Sequence, residues 1–86
     1  MKVSIDISMY PLHKDFEKPI KVFIKTLRNS EFYTEENGLS TQIFGEFLPM
    51  MNFINSNINE VLLNEKNCVF ILKIVTDDRS HHEPTY

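Results

Sequence analysis

Residues Lys2 to Tyr10 alternate strictly between polar and apolar side chains, and no other feature of the chain constrains its fold as tightly. Because successive side chains of a strand point to opposite faces of a sheet, a period of two predicts a half-buried β-strand. Pro11 has no N–H group to donate and is expected to end this strand. The apolar side of such a strand has to be buried against other elements, so a sheet with one covered face is predicted.

The next segment changes to a helical period. Asp15 is placed to cap a helix that runs from about Phe16 to Arg28, with apolar residues spaced to form one face. A weaker strand, EFYTEE, follows this helix. The Asn37-Gly38 dipeptide after it predicts a two-residue hairpin turn, because both residues tolerate a positive φ.

The second half of the chain repeats the pattern of strand, helix and strand. A third strand is predicted over Leu39 to Phe47 and a fourth over Cys68 to Val75. Between them, Pro49 suits the first turn of a second helix. The apolar stripe of this helix consists of Met51, Ile54, Ile58, Val61 and Leu62.

The order of the elements is therefore βαββαβ. Right-handed crossovers then favour one arrangement, an antiparallel sheet of order 4-1-3-2 with both helices on one face. This is the α+β ferredoxin-like fold. We expect residues 1–79 to form this single domain and residues 80–86 to form a polar tail.

Composition limits the classes of function. The 86 residues carry a formal charge of −3 without a basic cluster, so nucleic acid is not an expected partner. The longest apolar run, CVFIL, is too short to span a membrane, and the first residues lack the unbroken apolar stretch of a signal peptide. Cys68 is the single cysteine, which excludes an intramolecular disulfide and favours a buried, inert thiol. These features predict a cytoplasmic domain without a membrane partner.

Two helices can cover only one face of the predicted sheet, and the other face is left open. The members of this open face are Ser4, Asp6, Ser8, Ser40, Gln42, Phe44, Val69, Ile71 and Lys73. Leaving the large apolar members in water forgoes roughly 1.5–3 kcal/mol each, and a contiguous exposed apolar patch usually marks an interface. We therefore expect self-association through the sheet, as a homodimer or homotetramer.

The polar members of the open face allow two interpretations. Asp6, Ser8, Ser40 and Gln42 can hydrogen-bond to one another across strands, which satisfies groups that each cost roughly 1–3 kcal/mol when buried without a partner. The same groups can equally hold a small polar ligand. From the residues alone, mutual pairing is the simpler interpretation, and both remain open.

A ligand on this face would have a definite chemistry. Asp6 and Glu46 favour a cation or an amino-substituted ring, because their carboxylates only accept hydrogen bonds when ionised. Phe44 and Tyr10 can stack on such a ring. A small-molecule binding protein is therefore one class of function, and a sheet-mediated assembly or regulatory module without its own ligand is the other.

Catalysis and metal binding are not expected. His81 and His82 lie among carboxylates, but a metal needs ligands fixed about 2 Å away, and a polar chain end is usually mobile. The chain has only Gly38 and Gly45, too few for a glycine-rich phosphate loop. No nucleophile with a neighbouring base is recognisable. We therefore expect no enzyme, no cofactor and no metal.

The chain contains ISMYPL followed by DF, then GLSTQIFGEF, and near its end VFILKI with DDR. These segments resemble the thiamine-binding domain family of the YKOF type. Together they cover the chain from Val3 to about Arg79. The most specific pieces are the pattern S-x-Y-P, which begins at Ser8, and the pattern S-T-x-x-x-G, which begins at Ser40.

The resemblance implies the ferredoxin-like fold, assembly through the sheets, and no catalytic activity. It also implies binding of thiamine or its hydroxymethylpyrimidine part, in uptake or salvage of the vitamin. The residues that it carries over by position are Ser8, Tyr10, Ser40 and Thr41. Chemistry alone adds Asp6, Gln42, Phe44 and Glu46 as candidate ligand contacts.

Overall fold

The computed structural model describes residues 1–65 and 67–81 of the chain. Within these residues, four strands and two helices follow in the order βαββαβ. They are β1 (Lys2–Pro11), α1 (Glu17–Arg28), β2 (Tyr33–Glu36), β3 (Thr41–Glu46), α2 (Phe47–Asn64) and β4 (Cys68–Thr76). The sheet order is β2-β3-β1-β4, which is the predicted order read from the opposite edge, so the ferredoxin-like fold is confirmed. Neither described helix is long and apolar enough to cross a membrane.

β1 is the central strand and pairs antiparallel with both β3 and β4. The register arranges side chains in rows across the sheet. One row of the open face runs from Glu35 through Gln42 and Asp6 to Lys73. The central carboxylate of Asp6 therefore lies between an amide on one side and an ammonium group on the other.

The opposite face of the sheet carries the core. Val3, Ile5 and Ile7 of β1 are fully or almost fully buried, as their alternation predicts. The other members of the same buried cluster are Phe23, Leu27, Ile43, Met50 and Ile54. Because residues of both helices join this cluster, both helices cover one face of the sheet, as predicted. Cys68, which was expected to be buried, is half-buried at the start of β4.

Two predictions for the ends of elements are wrong. Asp15 does not cap α1, because the N-cap residue is Phe16 and it makes no side-chain capping hydrogen bond. Phe47 does not extend the third strand but begins α2, directly after Glu46 at the end of β3. The chain thus passes from β3 into α2 without a loop, which keeps the start of α2 against the sheet.

The tight turn between β2 and β3 lies one residue later than predicted, at Gly38-Leu39 and not at Asn37-Gly38, because the backbone N–H of Asn37 donates a hydrogen bond to the carbonyl oxygen of Ser40 (3.2 Å). Neither Asn37 nor Gly38 has a positive φ. The Asn37 side chain holds the loop instead, because its Oδ1 accepts hydrogen bonds from the backbone N–H groups of Leu39 (2.9 Å) and Ser40 (3.1 Å). Leu39 consequently lies before β3 and is 88% exposed.

The chain after β4 turns back over the open face of the sheet. Asp77 has a φ of 146°, a region that residues other than glycine rarely adopt. Ser4 Oγ donates a hydrogen bond to the carbonyl oxygen of Asp77 (2.7 Å) and accepts one from the backbone N–H of Arg79 (2.8 Å). We call the segment Asp77–His81 the C-terminal strap.

The strap covers part of the face that was predicted to be open. Phe44 and Ser4 are each only 7% exposed. The Phe44 ring also packs against Tyr33, with ring centroids 5.6 Å apart. Ser80, the first residue of the predicted polar tail, belongs to the strap, and residues 82–86 lie outside the described residues.

Candidate functional site

A cleft opens where the end of β1 and the start of β3 lie against α1. We call it the β1–β3 cleft, and its volume is about 420 Å³. Its lining residues are Ile7, Ser8, Met9, Tyr10, Pro11, Leu12, Phe16, Ile20, Phe23, Ile24, Asn37, Gly38, Leu39, Ser40 and Thr41. Most of these residues are apolar, and the polar ones come from the two strand ends and the β2–β3 loop. This composition is typical of a small-molecule site.

One wall of the cleft is the loop that leads from β1 to α1. The backbone N–H of Leu12 donates a hydrogen bond to the carbonyl oxygen of Asn67 (2.7 Å). His13 Nε2 lies 2.6 Å from a carboxylate oxygen of Glu65. These contacts fasten the loop to the connection between α2 and β4, and so hold the exposed side chains of Leu12 and Phe16 at the mouth of the cleft.

Thr41 is the buried polar residue of the cleft. It is 6% exposed and lies on the helix side of the sheet with Ile43, opposite to Gln42. Its hydroxyl makes no hydrogen bond to a described residue, although no fully buried side-chain polar atom in that part of the chain lacks a partner. The Thr41 hydroxyl is therefore reached from the cleft, where it is available to a ligand.

On the open face beside the cleft, polar side chains form a hydrogen-bonded network. Asp6 Oδ1 accepts hydrogen bonds from Ser40 Oγ (2.6 Å) and from Gln42 Nε2 (2.7 Å). Gln42 Nε2 also donates to Ser40 Oγ (2.8 Å), and Gln42 Oε1 accepts a hydrogen bond from Asn37 Nδ2 (3.2 Å). The predicted mutual pairing is thus confirmed for Asp6, Ser40 and Gln42.

The hydrogen bonds within this network determine which donors and acceptors of its side chains remain free for a ligand. Both amide hydrogens of Gln42 are engaged, so this side chain has no donor left for a ligand. The hydroxyl hydrogen of Ser40 is directed to Asp6, and one of its two lone pairs accepts from Gln42. The second lone pair remains, so Ser40 can accept a hydrogen bond from a donor in the cleft that it lines.

Asp6 is ionised within the network at neutral pH. Partial burial acts to raise the pKa of its carboxyl. The hydrogen bonds from Ser40 and Gln42, together with the positive charge of Lys73, outweigh that effect and hold the pKa below its ordinary value of 3.8. The resulting carboxylate keeps the hydroxyl hydrogen of Ser40 directed to itself.

Four of the eight predicted contact residues line the β1–β3 cleft. They are Ser8, Tyr10, Ser40 and Thr41, the same four that the family resemblance carries over. Asp6 and Gln42 are connected to the cleft only through Ser40. The residues assigned by position thus come together, whereas those added from chemistry alone do not line the cleft.

Phe44 and Glu46 lie away from the cleft. Phe44 packs against Tyr33 and lines a small cleft together with Asp78, Ser80 and His81 of the C-terminal strap. Glu46 is at the opposite end of β3 from Thr41, about 17 Å away at the usual rise of a strand. One of its carboxylate oxygens lies 2.6 Å from the amino group of Met1. The structure therefore gives no support to a ligand role for either side chain.

Sequence reasoning missed the apolar part of the cleft. Phe16, Ile20 and Ile24, which follow one another at helical spacing, are not members of the buried core cluster and form a wall of the cleft. Leu12 and Leu39 lie at its mouth and are 62% and 88% exposed. Each of these leucines is the single leucine of a polar loop and lies next to the motif residues. This pattern is the sequence signal that would have indicated Leu12 and Leu39.

The titratable side chain that lines the cleft within the described residues is the phenol of Tyr10. Its lining within the described residues contains no carboxylate, histidine or cysteine. Over residues 1–65 and 67–81, no three His, Cys, Asp or Glu side chains are placed to hold a metal ion. His82, which the sequence placed beside His81, lies outside those ranges.

Solved structures of other proteins share this fold. A Thermotoga maritima protein named a "putative thiamine biosynthesis/salvage protein" is 22% identical, with a TM-score of 0.81 over 90% of this chain and 85% of that one. A Streptococcus pneumoniae protein is 22% identical, with a TM-score of 0.82 over 91% and 89%. A hypothetical protein from Methanocaldococcus jannascii is 26% identical, with a TM-score of 0.74 over 95% and 84%. No family model and no curated protein matches the chain.

Proposed function

We propose that this protein binds a small aminopyrimidine compound, thiamine or its hydroxymethylpyrimidine part, in the β1–β3 cleft. The observation that carries the proposal is the Thr41 hydroxyl, which is reached from an apolar cleft and has no hydrogen-bond partner among the described residues. A hydroxyl group in that position can form a hydrogen bond with a ligand that fills the cleft. The fold shared with the Thermotoga maritima protein named for thiamine supports the same class of ligand.

The polar groups of the cleft match an aminopyrimidine. The exocyclic amino group of the ligand donates hydrogen bonds, and the remaining lone pair of Ser40 can accept one. The ring nitrogens accept hydrogen bonds, and the Thr41 hydroxyl can donate to one of them. Tyr10 and Phe16 lie at the mouth, where their rings can cover the heterocycle.

Under this proposal the protein binds its ligand without transforming it. Serine and threonine hydroxyls become nucleophiles only when a neighbouring base takes their proton. In the described part of the chain, Ser40 donates its hydrogen to Asp6, a carboxylate whose lowered pKa makes it a weak base. A role in transport, storage or salvage of the ligand is consistent with such a site.

The proposal is tested by isothermal titration calorimetry with thiamine and with hydroxymethylpyrimidine. Thr41→Val keeps the shape of the side chain and removes the hydroxyl, so it should weaken binding by about 1–3 kcal/mol, or roughly 5- to 160-fold. Thr34→Val is the matched control, because Thr34 lies opposite Ile43 on the helix side of the sheet but does not line the cleft.

The control should bind like the wild-type protein, and both variants should keep the wild-type fold by circular dichroism. Absence of heat for both ligands with the wild-type protein at millimolar concentration would refute the aminopyrimidine proposal. Equal affinity of the wild-type protein and Thr41→Val would show that the ligand binds outside the cleft.

A further inference from the structure

An open groove along α1 adjoins the β1–β3 cleft. We call it the lysine groove, and its volume is about 770 Å³. Its lining residues are Lys14, Asp15, Phe16, Glu17, Lys18, Lys21, Val22 and Lys25. Phe16 lines both the groove and the cleft, so its side chain lies on the border between them. A substituent that extends from the cleft past Phe16 therefore enters the lysine groove.

The lysines of this groove are separated in the sequence and meet because of the helical period. Lys18, Lys21 and Lys25 follow one another at spacings of three and four residues, which places them on one side of α1. Lys14 joins them from the loop that precedes the helix. The chain as a whole has a formal charge of −3. The groove is thus a basic site on a protein that is acidic overall.

The ammonium groups of these lysines are available to a ligand. All of them are exposed, and none forms an ion pair with another described residue. Arg28, which follows on the same helix, is by contrast held by Glu36, with Nη2 and Oε1 2.6 Å apart. Asp15 and Glu17 also line the groove, but the lysines outnumber these carboxylates. The groove can therefore attract an anionic group.

The cleft itself offers no partner for a positive charge. Its lining within the described residues contains no carboxylate, whereas thiamine carries a cationic thiazolium ring. With the pyrimidine in the cleft, a cationic substituent that passes Phe16 meets the surplus of lysines and is repelled. A phosphate monoester at the same place carries a charge of about −1.5 to −2 at pH 7 and is attracted. The charge of the groove therefore discriminates between the two substituents.

We propose that the lysine groove binds the phosphate group of a phosphorylated aminopyrimidine whose ring lies in the β1–β3 cleft. This inference rests on the proposed function, because it assigns the ring to the same cleft. Lys14 and Lys18 flank Phe16 in the sequence and are the first lysines that the phosphate meets. Lys25 lies about 14 Å from Phe16 along the helix and is too far for a direct contact with a short ester. The phosphate ester is then the preferred ligand, ahead of the free pyrimidine and of thiamine.

Isothermal titration calorimetry in a phosphate-free buffer compares hydroxymethylpyrimidine with its phosphate monoester. An exposed ion pair contributes up to about fivefold in affinity, so Lys14 and Lys18 together should give the ester an advantage of about tenfold. An increase in salt from about 0.05 M to about 0.5 M should remove most of this advantage, because salt screens exposed charges. Binding of the unphosphorylated pyrimidine should change little.

Substitutions separate the groove from the cleft. The double variant Lys14→Gln, Lys18→Gln should lose most of the tenfold advantage and bind hydroxymethylpyrimidine like the wild-type protein. Glu17→Gln removes a negative charge from the groove and should strengthen ester binding about twofold. Lys2→Gln is the matched control, because it makes the same change of charge at the opposite end of β1 from Tyr10, about 27 Å away. It should leave both affinities unchanged.

The outcomes distinguish this inference from the proposed function. Thr41→Val should weaken both ligands by the same factor, because both place the ring in the cleft. An ester that binds no more tightly than hydroxymethylpyrimidine overturns the role of the lysine groove and leaves the proposed function intact. An advantage that persists in the double lysine variant, or that Lys2→Gln removes equally, overturns it as well. Absence of binding by hydroxymethylpyrimidine, its ester and thiamine refutes the proposed function and this inference together.

Discussion

Replacement of Gly45 by alanine should destabilise the protein, because the new methyl group has no space. An ideal Cβ at Gly45 would lie 2.8 Å from Phe32 Cδ1 and 3.6 Å from the Met50 sulfur. Ordinary contacts begin at 3.4 Å, so the Phe32 ring would have to retreat by about 0.6 Å. That ring packs against Phe53, with centroids 5.7 Å apart, and cannot retreat without disturbing this contact.

The expected size of the effect follows from two opposing terms. Overpacking of this kind typically costs about 1–3 kcal/mol. Alanine also restricts the backbone conformations of the unfolded chain. This effect stabilises the folded protein by about 0.4–1 kcal/mol when the native φ is one that alanine readily adopts. Gly45 does not have a positive φ, so this gain applies. We expect a net loss of roughly 1–2 kcal/mol in the free energy of unfolding, and a melting temperature lower by roughly 5–15 °C.

Gly38→Ala provides the matched control. A Cβ at Gly38 meets nothing within 4 Å, and its φ is not positive. This variant should be as stable as the wild-type protein or up to about 1 kcal/mol more stable. Urea unfolding followed by circular dichroism measures both variants, with equal m-values required for the comparison. A Gly45→Ala protein as stable as wild type, or a Gly38→Ala protein that is the less stable variant, would refute the reasoning.

Two further predictions concern titratable groups. The folded pKa of Asp6 lies below 3.8, so its charge stabilises the fold at neutral pH, and this contribution is lost as the pH falls through the folded pKa. Asp6→Asn should be less stable than wild type at about pH 6, with a smaller difference at about pH 3; a pH-independent difference would contradict this. Burial, and then the charge of Glu65, raise the pKa of the Cys68 thiol. A thiol reagent at about pH 8 should therefore label the native protein more slowly than the unfolded protein, and equal rates would contradict that prediction.

The fold was predictable because its central strand has a clear pattern. The alternation in β1 assigned Val3, Ile5 and Ile7 to the core, and the order of elements then left one favoured topology. The ends of elements were less predictable. Asn37 and Gly38 tolerate a positive φ, but tolerance does not require it, and the Asn37 side chain stabilises a turn that is shifted by one residue.

The candidate site was only partly predictable from the sequence. Parity along β3 correctly separates Thr41 from Gln42, but parity does not indicate which face of the sheet has space for a ligand. That space depends on where α1 and the loop containing Leu12 lie, which is set by contacts with Glu65 and Asn67 that are distant in sequence. The position of the strap over Ser4 has the same origin, since no local pattern predicts that Arg79 returns to β1.

The central position of β1 has a consequence for how the chain folds during synthesis. β1 is made first, yet its pairing with β4 joins residues that are 57 to 73 positions apart, from Pro11–Cys68 to Val3–Thr76. Such distant pairing is associated with slow folding, because the intervening chain has to be ordered before the contact forms. Until Thr76 has left the ribosome, one edge of β1 remains unpaired. The backbone N–H and C=O groups of that edge are open to pairing with another strand for as long as β4 is missing.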